Sequence, residues 1–125
     1  MNQLIKKLVR LRNFLIYKRW DFISKINQIK LNTDPKANFV VSIATYPKRA
    51  HLLPAVFEAL NQQTQLPQKW IVVLSEEEWP ELKLPEYFNK LIKRGLEILW
   101  VQNNTYAVKK LVPVVGKYPN MGVIT

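Results

Sequence analysis

Four short apolar runs mark the chain from residue 39 onward, and they restrict its fold more than any other feature. They are FVVSIAT (39–45), WIVVLS (70–75), LEILWV (96–101) and MGVIT at the end. Each is rich in β-branched or aromatic residues and apolar on successive positions, the pattern of a strand covered on both faces. The stretches between them read as helix. Leu53, Val56, Phe57 and Leu60 give a helical stripe through 51–63, where Pro54 is tolerated only in the first turn. The turn QLPQK leads into the second run. EYFNKLIKR follows EEEWPELKLP, with Gly95 placed as a C-terminal cap. After the third run, QNNTYAVKKLVPVVGKYPN holds a polar loop and a helical turn or two, limited by Pro113. Strand alternating with helix argues for an α/β, Rossmann-like, mostly parallel sheet with flanking helices and right-handed crossovers. The chain stops inside its fourth strand signal, so the sheet is expected to be incomplete.

The segment before the first strand has a different texture. Leu4, Leu8, Leu11, Leu15, Phe22, Ile26 and Ile29 recur at helical spacing, widened by Ile5, Val9, Ile16 and Ile23, with cations mostly between them. This predicts one long or two shorter amphipathic helices, then a linker or turn at TDPKAN (33–38). The expected organisation is a basic helical arm and linker over 1–38 and an α/β domain over 39–125. The formal charge of +10 follows this division. Residues 1–38 carry nine Lys/Arg against Asp21 and Asp34, while 39–125 carry ten against seven acids. The bias points to an anionic surface. The arm can pack on the domain, lie on an anionic membrane through residues 1–32, or bind nucleic acid. Nucleic acid ranks last, since no basic patch interleaved with aromatics and no nucleic-acid motif is present.

Several classes are excluded outright. There is no cysteine and one histidine, so disulfides, thiolate metal sites and His-based metal clusters cannot form. No run of about 18 apolar residues exists to span a membrane. Cations interrupt any apolar core near the N-terminus and no small-residue cleavage site follows, so a secretory signal is not expected. The chain reads as cytoplasmic, with peripheral contact to the inner membrane face left open.

The chemistry is expected at strand ends. Thr45-Tyr46-Pro47-Lys48-Arg49 falls at the carboxyl end of the first strand, just before a helix N-terminus that attracts anions. Tyr46 can stack on a flat ring and Arg49 can fork onto a phosphate; the same residues also fit an ordinary loop with solvated cations. Ser75 and Glu78 fit a capping box, the acids fit a solvated turn, and Glu76 or Glu77 can hold a ribose or base amine. Of Lys109 and Lys110, adjacent on a helical stretch, only one is expected to reach a site. His51 reads as a helix-start residue. Gly116-Lys117 is no phosphate loop, because Leu111 stands where the upstream glycine is required.

Taken together, VVSIATYPKR, WIVVLSEEEWP, and the block from Tyr106 through KKLVPVVGKYPN to VIT resemble the start of bacterial family 2-like glycosyltransferases of the GT-A type. The resemblance covers residues 39–125 and leaves out the N-terminal helix. It implies a pocket for a nucleotide-diphospho-sugar, with Thr45, Tyr46 and Arg49 lining it. Glu76 or Glu77 would contact base or ribose, and Lys110 or Lys109 would lie near the phosphates. The family pattern continues into an Asp-x-Asp-type motif holding Mg²⁺ or Mn²⁺, which this sequence does not reach. The resemblance therefore implies the donor-binding half of a truncated glycosyltransferase, inactive as a fragment, with no metal site and no catalytic residue of its own. The parent enzyme would build cell-surface polysaccharide on a glycan or lipid-linked acceptor. The alternative is a small basic protein of the membrane surface without catalysis.

Overall fold

All four apolar runs become strands in the computed structural model, which describes residues 2–102 and 111–125. They are β1 (Phe39–Ala44), β2 (Trp70–Ser75), β3 (Glu97–Val101) and β4 (Gly122–Ile124). One sheet holds them in the order β3-β2-β1-β4, with every neighbouring pair parallel. The chain steps outward from β1 to β3, then returns to the far side of β1. This is the doubly wound arrangement expected of a Rossmann-like α/β protein.

Among the described residues, four helices accompany the sheet: α1 (Gln3–Ile26), α2 (Leu53–Leu60), α3 (Glu86–Lys93) and α4 (Val112–Lys117). Alternation along β2 divides the core. Trp70, Val72 and Leu74 point to one face, where they meet Phe57 of α2 and Phe88 and Leu91 of α3. Ile71 and Val73 point to the other, with Val40 of β1 and Val114 of α4. Two perpendicular ring contacts lock the first face, Phe57 on Trp70 at 6.0 Å and Trp79 on Phe88 at 5.5 Å. Each such buried side chain stabilises the fold by about 1.5–3 kcal/mol. Beside β4, the same face opens into an apolar groove of about 710 Å³ lined by Phe39, Val41, Ile43, Leu60 and Ile124.

The local signals act as their chemistry dictates. Pro54 sits in the first turn of α2, after a 3₁₀ turn over Ala50–Leu52 that contains His51. α2 stops at Leu60, short of the stripe's end at 63. Asn61, its capping residue, turns to accept the Asn32 backbone N–H on its side chain and the Asn32 amide on its carbonyl (3.1 Å). Gly95 takes φ 110°, and the N–H groups of Gly95 and Leu96 return to the carbonyls of Ile92 and Leu91, each at 3.0 Å. That is a Schellman cap, and a Cβ there would be strained.

The Ser75–Glu78 capping box does not form. Ser75 is the last residue of β2 and is buried, and its Oγ has no partner among the described residues. No helix starts there for it to cap. Glu76–Glu78 make a turn, with the Glu78 N–H donating to the Ser75 carbonyl at 3.1 Å. Pro80 then permits only a 3₁₀ turn over Pro80–Leu82.

The N-terminal segment is one continuous helix, about 36 Å long. Asn2 caps it by accepting the Leu4 N–H at 3.1 Å. It lies against α2, and Val9, Tyr17, Trp20, Ile23 and Ser24, which share one side, are half-buried. Residues 27–38 then run as a strap along the body. Arg94 holds the strap: its Nε donates to the Ile29 carbonyl at 2.6 Å, and its own carbonyl accepts the Leu31 N–H at 2.8 Å. The Arg94 guanidinium also pairs with Glu58, both buried, and Asn27 donates to the second Glu58 oxygen at 3.2 Å. Trp70 Nε1 donates to the Asn32 carbonyl at 2.8 Å. Among the described residues, no helix is long and apolar enough to cross a membrane.

Candidate functional site

Parallel pairing brings the two candidate loops to one edge. Ala44 of β1 is level with Val73 of β2, so Thr45 and Tyr46 come level with Leu74 and Ser75. The loops that follow leave the sheet side by side. β1 is also where the winding reverses, with β2 and β3 on one flank and β4 on the other. Open α/β sheets take ligands at the carboxyl ends of strands at this switch point.

The first loop is a closed turn. The Tyr46 carbonyl accepts the N–H groups of Arg49 and Ala50, each at 3.0 Å. Thr45 is buried beneath it, while Tyr46, Lys48 and Arg49 stand exposed. No side chain caps the 3₁₀ turn at Arg49 or α2 at Leu52. The second loop is tied to β3, since the Glu76 N–H donates to the Val101 carbonyl at 2.8 Å. Glu76 and Glu77 are exposed beside it. One lip of this edge is therefore cationic and the neighbouring lip acidic. Such an edge can take an anionic group on Lys48 and Arg49, and hydroxyl or amine donors on the carboxylates.

Five expected site residues, Thr45, Tyr46, Arg49, Glu76 and Glu77, thus share this edge. Tyr106, Lys109 and Lys110 lie outside the described residues. Among the described residues, no group of three His, Cys, Asp or Glu side chains comes together to hold a metal ion.

Two polar features elsewhere have no counterpart in the sequence reading. A cavity of about 250 Å³ opens between α1, the start of α2 and α3, lined by Tyr17, Asp21, His51, Tyr87 and Lys90 among others. Burial pushes the Tyr87 hydroxyl above its ordinary pKa. No single stretch could signal this cavity, because its residues come from three separate elements. At the opposite end of the sheet from the candidate loops, Glu97 accepts from Lys117 and, at 2.6 Å, from Tyr118. Burial alone would raise the Glu97 pKa, but the hydrogen bonds from Lys117 and Tyr118 and the charges of Lys117 and Lys69 hold it below the usual value. Tyr118 is pushed up to about 12 by burial, then by its bond to the Glu97 carboxylate and the charge of that group. These groups join the end of α4 to the start of β3, so they read as a structural clamp. No family model, no curated protein and no solved structure matches this chain.

Proposed function

We propose that residues 39–125 are the donor-binding part of a GT-A-type, family 2-like sugar transferase, and that the edge beside β1 holds a nucleotide-diphospho-sugar. The observation carrying this reading is the placement of the Thr45–Arg49 loop at β1, where the winding reverses, with the Glu76–Glu78 loop beside it at the end of β2. Tyr46 supplies a ring face for the base. Arg49 supplies a planar fork for the diphosphate. Glu76 or Glu77 accepts from the ribose hydroxyls, and Lys109 or Lys110 adds charge beside the phosphates.

The role assigned to this segment is binding rather than turnover. The resemblance implies Mg²⁺ or Mn²⁺ in the transferase, but the described residues offer no carboxylate cluster that fits one.

Calorimetric titration of the full chain with UDP, GDP and ADP, and then with the matching nucleotide-sugar, tests the reading. One nucleotide is expected to bind, and Arg49→Ala to weaken it by about 1–3 kcal/mol, the worth of a charge-assisted hydrogen bond. An unchanged dissociation constant would reduce Arg49 to surface charge. Failure of all three nucleotides to bind would overturn the reading.

A further inference from the structure

We infer that α1 docks flat on an anionic lipid surface, through the side of the helix that faces away from the body. Leu4, Leu8, Leu11, Leu15, Phe22 and Ile26 fall on one side of the helix at spacings of three, four and seven residues. Within a domain such a stripe would be core. Here its members are 54–64% exposed. The helix meets the body through the other side of its C-terminal half, where Tyr17, Trp20 and Ile23 are half-buried, while residues 2–16 are exposed apart from Val9. The stripe runs for about 33 Å along the axis. Contiguous apolar surface of this kind on a folded protein marks an interaction site.

Charge selects the occupant. Lys7, Lys18 and Lys25 border one edge of the stripe, and Arg12 and Arg19 border the other. Asp21 is the one acid on the helix; it lies off the stripe and is paired with Lys25 at 3.2 Å. A second copy fits poorly. Paired helices need opposite charges flanking the apolar seam, and both borders here are cationic. An anionic bilayer offers apolar chains beneath and phosphates above along the whole stripe. Lys and Arg can lay their stems on the apolar layer and keep their charges at the phosphates. An amphipathic helix of this composition lies in the interface and does not cross it. Docking in this orientation leaves the α2 side of α1, and the body attached to it, away from the lipid. The inference is independent of what the strand-end loops bind.

Vesicle sedimentation of the full chain tests it, comparing phosphatidylcholine with phosphatidylcholine mixed with phosphatidylglycerol at low salt. Binding is expected to the mixed vesicles and not to the neutral ones. Leu11→Glu with Leu15→Glu should reduce that binding by about tenfold or more, since it puts charge into the apolar layer. Lys18→Gln with Arg19→Gln should cost about fivefold per cation. Both double variants are expected to unfold at the same denaturant concentration as the unaltered chain, because all four side chains are exposed. Should the Leu11/Leu15 double variant fail to fold, the Lys18/Arg19 double variant carries the test. Three results would each overturn the inference: no binding to either vesicle, undiminished binding by a folded Leu11/Leu15 double variant, or a dimer in solution that the same two substitutions dissociate. Tighter binding to duplex DNA than to the mixed vesicles would overturn it as well, by making nucleic acid the occupant.

Discussion

β2 buries all six of its residues, whereas α1 buries none of its twenty-four. Each carries the apolar pattern of its own geometry, successive positions in a strand covered on both faces and helical spacing in α1, so pattern alone does not say which is covered. Their neighbours do. β2 has a parallel strand on each edge and packed side chains on each face. α1 rests by one side on α2 and turns its longer apolar stripe outward. An apolar stripe reports that a face needs cover, not that the same chain supplies the cover. The free energy of folding therefore sits in the sheet and in α2 and α3. α1 belongs to the weakly held end of the molecule, where local opening is cheapest.

The sharpest break of this comparison is a pair of substitutions with opposite expected outcomes. Phe57→Ala removes a ring that is 1% exposed and stacked edge-on to Trp70, and should cost about 3–5 kcal/mol. Leu15→Ala removes side chain from the outward stripe of α1 and should change stability by no more than about 0.5 kcal/mol. Denaturant midpoints measure both. A loss of about 2 kcal/mol or more for Leu15→Ala would place Leu15 against a packed surface and end the distinction between the two regions.

A somewhat smaller effect is expected where the two regions join. Glu58→Gln leaves the Arg94 charge buried without its carboxylate and should cost about 3 kcal/mol. Its second effect is local. Asn27 and the Ile29 carbonyl both reach this pair, so the strap should loosen before the sheet does. Limited proteolysis should cut the Glu58→Gln variant near residues 27–32 while β1 to β3 stay protected. Uniform protection would mean that the strap is held by Leu31 and Asn32 without help from Glu58.

This junction also shows where sequence reading stops. The strands are legible because a run such as WIVVLS has no polar residue to offer water before its last position, and Gly95 because a positive φ selects glycine. The candidate edge is legible for the same reason, since strand ends fix where Thr45, Tyr46, Arg49, Glu76 and Glu77 emerge. Glu58 and Arg94 are not legible as partners. They stand 36 positions apart, and each alone looks like an ordinary surface charge on a helix. TDPKAN reads as a turn, and Pro35-Lys36 do turn. Nothing in those letters reports the bonds that the preceding residues make to Arg94, Asn61 and Trp70. Ser75-x-x-Glu78 has the letters of a capping box, but β2 claims Ser75 as its last buried residue. Capping needs a free helix end, and tertiary burial decides whether one exists.

The smallest effect concerns α4, which sharpens the comparison because it too is lightly covered. Its one buried residue is Val114, and Val112 stands 61% exposed. It is closed at its end by a polar clamp, with Lys117 and Tyr118 both donating to Glu97. Lys117 is partly exposed, so the clamp is worth about 0.5–1 kcal/mol, and Glu97→Gln should cost that much at neutral pH. Its pH dependence carries the stronger signature. The Glu97 carboxyl is held below its ordinary pKa, so the folded state gives up its proton more readily than the unfolded chain. The clamp's contribution is then complete at neutral pH and is lost as pH falls through the lowered value. Tyr118 is shifted the opposite way, to about 12, so its contribution holds below the ordinary tyrosine value and is lost as pH rises toward the raised one. Denaturant midpoints of the unaltered chain and the Glu97→Gln variant should therefore differ at neutral pH and converge in acid. A gap that persists in strong acid, where the carboxyl is protonated in both states, would show that Glu97 acts through packing, and α4 would then be held by its one apolar side alone.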